Sequence, residues 1–142
     1  MSESSLPPVP MQFQRVIAPI LEEVEALSGE VRTLLRDRGL GTLAFPVELV
    51  TREALNNAVL HGCAGRPSGR VSFALSVGRR WLVLRVADEG PGIPAGRRRP
   101  SDPSDDQATH GRGLRLIRGY ADRVRFNRRG NELTIRFPIP QP

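Results

Sequence analysis

The chain contains no lysine: its 142 residues include 21 basic side chains, and all of them are arginine. That excludes sites built on an ammonium group, such as a P-loop lysine on phosphates, the strand lysine of eukaryotic-type protein kinases or a Schiff-base lysine. The single cysteine, Cys63, can form no intrachain disulfide, and two histidines with one thiol give no zinc-ligand spacing. No run approaches the roughly 18 apolar residues of a membrane span. The opening Met-Ser-Glu-Ser-Ser also lacks the basic and apolar regions of a secretory signal. These absences predict a soluble cytoplasmic protein without structural metal or membrane contact. Aromatic residues are scarce too: five Phe, one Trp and one Tyr. A nucleic-acid binder that stacks bases is therefore not expected, although the net charge is +6 and the pI about 11.2.

The length fits one domain. Charge is unevenly placed, with residues 1–62 carrying −3 and residues 63–142 carrying +9. Residues 1–10, with Pro7, Pro8 and Pro10, read as a disordered tail before a single domain over 11–142. Met11 to Ile17 alternates as a first strand. From Pro19 the apolar residues Ile20, Leu21, Val24, Leu27, Val31, Leu34 and Leu35 recur every three or four positions, predicting a long amphipathic helix that ends at Gly39. A second helix is expected from Pro46 to about His61. Val71 to Val77 and Trp81 to Ala87 form a predicted hairpin, followed by a long Gly/Pro-rich and polar loop over 89–111 that includes Arg97, Arg98 and Arg99. A third helix fits Leu114 to Tyr120, and strands at Val124 to Phe126 and Glu132 to Ile139 close the domain. The order predicts a two-layer α/β sandwich with a mixed, mostly antiparallel sheet covered by helices on one face.

Three clusters carry chemistry. Glu53 and Asn57 lie four apart on the second helix, hence on one side of it. A carboxylate and an amide oxygen so placed suit orientation of a hydroxyl and completion of a Mg²⁺ shell, although an exposed surface pair has the same spacing. Asp88-Glu89-Gly90-Pro91-Gly92 follows an apolar strand. Its aspartate can accept from an exocyclic amine such as adenine N6, and the same residues would also make a plain turn. His110-Gly111-Arg112-Gly113-Leu114 opens the third helix, where backbone N–H groups and an arginine suit an anion, or where the glycines serve only as a hinge. Independent accidents would rarely produce all three in this order.

Together these clusters resemble the N, G1 and G2 boxes of the GHKL ATPase superfamily, whose Bergerat fold binds ATP under a lid. The string Glu-Ala-x-x-Asn-Ala-x-x-His-Gly at 53–62, and Gly-Arg-Gly-Leu-x-Leu-Ile at 111–117 followed by Ala121-Asp122, are similar to the anti-sigma-factor serine/threonine kinases of the RsbW type. The resemblance covers about residues 11 to 138. It implies ATP and Mg²⁺ as cofactors, Glu53 as the general base, Asn57 as the metal ligand and Asp88 as the adenine contact. It further implies lid hinges at Gly90, Gly92, Gly111 and Gly113, Arg112 near the phosphates, Thr134 behind the adenine site, and His61 either in the nucleotide pocket or as a satisfied helix-end histidine. The implied partners are a STAS-domain antagonist as substrate, a sigma factor or equivalent regulator, and a second copy of the chain in a homodimer. A catalytically inactive binding module of the same fold is the alternative, against which the intact Glu53 and Asn57 stand.

Overall fold

The computed structural model describes residues 10–63, 68–92, 96 and 109–141, with residues 109–112 described as backbone only. Residues 1–9 of the predicted tail over 1–10, and the arginine run 97–99, lie outside the described residues. Strand β1 (Met11–Ile17) leads into helix α1 (Leu21–Asp37), which buries Val24, Leu27, Val31 and Leu35 at the spacing of one helix face. Glu22 and Glu23 sit in its first turn and Arg36 in its last, each sign favoured by the helix dipole. Gly39, at φ +77°, turns the chain so that the Leu40 N–H reaches back to the Leu35 carbonyl at 2.8 Å.

Helix α2 (Gly41–Asn57) starts five residues before the expected Pro46. Leu43, Ala44 and Val47 are all buried and carry the apolar spacing upstream of the proline. Pro46 therefore lies in the second turn, where only its bond toward the Thr42 carbonyl is lost. The helix does not run on unchanged to His61. Ala58–Gly62 forms a π-helical turn, closed by the Cys63 N–H on the Ala58 carbonyl at 2.9 Å. Such widened turns recur at functional positions because they re-aim the side chains that follow them.

Strands β2 (Val71–Val77) and β3 (Trp81–Asp88) form the expected hairpin. Helix α3 (Thr109–Tyr120) begins five residues before the predicted Leu114, so Gly111 and Gly113 lie inside its first two turns. Strands β4 (Arg123–Phe126) and β5 (Glu132–Pro138) complete one sheet of order β1-β2-β3-β5-β4. Every pairing is antiparallel, so the sheet is not mixed among the described residues. The α1–α2 excursion returns the chain to the antiparallel neighbour β2, whereas α3 precedes β4, which lies beyond β5 from β3.

Alternation decides which face is covered. Phe73, Leu75, Leu82, Leu84, Val86, Leu133, Ile135 and Phe137 are buried in one core with Val47, Val50 and Leu55 of α2 and Leu114 and Ile117 of α3. The residues between them, including Ser72, Val83, Arg85 and Thr134, face the open side. An ion-pair chain ties α1 to α2: Arg52 meets Glu25 at 2.9 Å and Glu48 at 3.6 Å, and Glu48 also meets Arg32 at 3.1 Å. The Arg52 hydrogen bond holds the Glu25 carboxyl below its ordinary range, and the same bond raises Arg52. No helix among the described residues is long and apolar enough to cross a membrane.

Candidate functional site

A cleft opens where the end of α2 meets the ends of β3 and β5. Ala54 of α2 and Ala58 of the π turn are small, and they line the cleft together with Val86, Leu133 and Phe126. The polar lining is Asn57, His61, Asp88, Asn131 and Glu132. The π turn carries His61 and Gly62 into this lining. His61 makes contacts within the protein as well as lining the cleft.

Asp88 is tightly seated. Its Oδ1 accepts from the Gly90 N–H at 2.7 Å, and its carboxylate lies against the α-carbon of Gly62, where an added Cβ would collide with it. A Cβ on Gly90 would collide with the Gly62 carbonyl. The Asp-x-Gly spacing is thus a geometric requirement as well as a turn signal: one glycine supplies the N–H that fixes the carboxylate, and Gly62 leaves the space it occupies. Gly92 adopts φ +91° and passes against the Arg129 carbonyl, so two constraints there both demand glycine.

At the other end of the site, α3 crosses α2. An added Cβ on Gly113 would stand 3.1 Å from Glu53 Oε2, 3.3 Å from Asn57 Nδ2 and 3.5 Å from Asn57 Oδ1. The carboxylate and the amide therefore converge on a single glycine of α3. The Asn57 amide nitrogen is buried with no hydrogen-bond partner among the described residues. A buried amide left unpaired is unfavourable unless something else meets it, and its oxygen and nitrogen exchange by a simple flip. One hard oxygen donor suits Mg²⁺, which keeps several waters and seldom takes an all-protein cage. No cluster of three or more metal-ligating side chains occurs among the described residues, and this ion needs none.

Of the residues singled out in the sequence, Asn57, His61, Asp88 and Gly92 line the cleft, Gly90 holds Asp88, and Glu53 and Gly113 lie at its α3 end. Gly111 is in the first turn of α3 rather than at a hinge before it, and the Arg112 side chain lies outside the described residues. Thr134 is not at the cleft. Leu133 and Ile135 point into the core, so the residue between them faces the open side of the sheet, paired with Arg85 on β3 and Arg125 on β4. Sequence reasoning missed Asn127 and Asn131. Asn131 lines the cleft, donates through Nδ2 to the Asp88 carbonyl at 3.1 Å, and accepts at its own carbonyl from the Asp88 N–H at 3.0 Å. The alternation of Leu133, Ile135 and Phe137 already places Thr134 outward and leaves the turn before β5 to meet the Asp88 loop.

A two-layer sandwich with a carboxylate-fixed pocket at one end of α2 and a carboxylate–amide pair along the same helix defines a nucleotide-binding module of the Bergerat type. The sequence profile of the histidine kinase-like ATPase domain matches residues 17–137, and the chain belongs to that family. It is 34% identical over 106 residues to the serine/threonine-protein kinase BtrW of Bordetella bronchiseptica, covering 71% of this chain and 75% of the relative. It is 30% identical over 124 residues to the sensor histidine kinase Hik2 of Synechocystis, covering 81% of this chain and 27% of that longer protein. The family membership carries ATP binding and a kinase-type ATPase domain.

Proposed function

We propose that this protein is an ATP-dependent serine/threonine protein kinase of a partner-switching system, which phosphorylates a STAS-domain antagonist and sequesters a sigma factor or an equivalent regulator. The observation that carries the reading is the convergence of Glu53 and Asn57 on Gly113, along the same helix that closes the Asp88 pocket. The likeness to a serine/threonine kinase over three quarters of that relative's length supports protein hydroxyls as acceptors. The chain spans about a quarter of the sensor histidine kinase it also matches.

In this mechanism Asp88 would take the adenine amine and Asn57 would hold Mg²⁺. Magnesium, when bound, supplies charge neutralisation on the phosphate oxygens. Glu53 holds the partner's hydroxyl in line and accepts its proton as the oxygen bonds to the γ-phosphorus and the bond to ADP breaks. Orientation and electrostatics carry most of a loose phosphoryl-transfer transition state, so a lysine-free site is adequate. Homodimerisation and a cytoplasmic location accompany this reading.

The test incubates the protein with ATP·Mg²⁺ and the STAS-domain and sigma-factor proteins of its own cell, and follows phosphate transfer and complex formation together. Glu53→Gln is expected to bind ATP and to transfer about 10²- to 10⁴-fold more slowly. Transfer by Glu53→Gln at the wild-type rate contradicts the role of the carboxylate. A tight complex without transfer in the wild type identifies a binding module instead.

A further inference from the structure

Two asparagines in the β4–β5 turn have amide orientations dictated by their surroundings. Asn127 Oδ1 accepts from the backbone N–H groups of Gly130, Asn131 and Glu132 at 2.7, 3.0 and 3.1 Å. Only an oxygen can accept those donors, so the Asn127 nitrogen is the atom turned toward Asn131, donating to its Oδ1 at 2.8 Å. The nitrogen of Asn131 must then face the Asp88 carbonyl, to which it donates at 3.1 Å. An amide nitrogen carries two N–H groups, and this one spends a single N–H on protein among the described residues.

We propose that Asn127 is a positioning residue that sets nucleobase selectivity. By locking the Asn131 amide with its nitrogen on the Asp88 main-chain carbonyl, it presents an N–H donor rather than an oxygen in the cleft wall that Asp88 also lines. This rests on the nucleotide reading of the cleft given above. An acceptor next to a donor matches the edge of a 6-aminopurine, which presents an N6 donor beside an N1 acceptor. A 6-oxopurine presents an O6 acceptor and an N1–H donor, mismatched at both points. Without the Asn127 N–H, the Asn131 amide can turn its oxygen into the cleft, and the pattern becomes acceptor beside acceptor.

Asn127→Asp separates the two duties of the side chain. Its carboxylate still accepts the backbone N–H groups that shape the turn, but it has nothing to donate to Asn131. Affinities of the full chain for ATP, GTP and 1-deaza-ATP, which lacks the N1 acceptor, are measured by titration alongside thermal melts. The wild type is expected to prefer ATP to 1-deaza-ATP by about tenfold, the loss of one hydrogen bond, and ATP to GTP by about 10²-fold or more. In Asn127→Asp the ATP preference over GTP should fall about tenfold and the gap to 1-deaza-ATP should shrink to about twofold, with the melting temperature little changed.

A purely structural role for Asn127 would lower all three affinities together and leave the ratios alone. Equal binding of ATP and 1-deaza-ATP by the wild type, which needs no variant to fold, overturns the proposal. So does full ATP preference in Asn127→Asp. A wild type that binds neither ATP nor GTP overturns the nucleotide reading itself, and this proposal with it.

Discussion

Replacing Gly113 by alanine should make the protein more stable and a poorer enzyme. The residue lies within α3, and its φ is not in the left-handed region, so an alanine strains no backbone there. Glycine inside a helix is less favourable than alanine by about 0.5–1 kcal/mol. At this chain length that difference is worth a rise of a few degrees in melting temperature, somewhat less after the new contacts are accommodated. The added methyl would stand 3.1 Å from Glu53 Oε2 and 3.3 Å from Asn57 Nδ2, both closer than ordinary van der Waals contact. Both groups must therefore retreat by a few tenths of an ångström, or α3 must lift off α2 by as much. Misplacement by about 1 Å can cost 10²-fold in rate, so a displacement of this size should lower phosphoryl transfer by several-fold to about tenfold. The Asp88 pocket lies at the other end of the cleft, and base recognition should be nearly unaffected. Circular-dichroism melts and transfer of labelled phosphate to the protein partner measure the two effects on one preparation. Turnover at the wild-type rate in a folded Gly113→Ala protein would show that Glu53 and Asn57 do not act at the place where α2 meets α3.

Other expectations concern the scaffold. Leu84 is fully buried in the sheet, and Leu84→Ala should destabilise by about 2–5 kcal/mol in urea denaturation. Val83→Ala, on the open face one residue away, should cost well under that. Equal losses at both positions would contradict the assignment of faces. For Glu25, the Arg52 hydrogen bond lowers the carboxyl pKa in the folded protein, so the stability it adds is present above the unfolded value and disappears as pH falls through the folded one. Glu25→Gln should accordingly be less stable than the wild type near neutral pH, and the difference should close in acid below the ordinary carboxylate range. A difference independent of pH in parallel urea titrations would mean that the ion pair is not its source.

The parts of the site that were legible in the sequence are those written in short range. Glu53 and Asn57 declare their shared side by being four apart on a helix, and Asp88 with Gly90 encodes its own hydrogen bond within three residues. The strands of the β2–β3 hairpin were legible because Val71, Phe73, Leu75 and Val77, and Leu82, Leu84 and Val86, recur at every second position on either side of Gly78-Arg79-Arg80. What was not legible depends on partners distant in sequence. Pro46 marks a helix start by local preference, but burial of Leu43 and Ala44 against the core extends α2 upstream of it. The π turn at Ala58–Gly62 has no propensity signature, because the sequence around it would serve equally in an α-helix. Asn131 reaches the site only through pairing of the turn before β5 with the end of β3, 43 residues earlier in the chain. Thr134 resembled an adenine contact by residue type, and strand parity sends it to the opposite face.

The central claim is that the cleft between α2 and the β3–β5 end binds ATP through Asp88. Isothermal titration of ATP·Mg²⁺ into the wild type and Asp88→Asn tests it most directly. Asparagine keeps the size of the side chain, and hence the packing against Gly62 and Gly90, while removing the charged acceptor. Hydrogen bonds to charged groups contribute about 1.5–3 kcal/mol, so the variant should bind at least tenfold more weakly with the fold intact. Equal affinity in the two proteins, or no ATP binding by the wild type, would contradict the account.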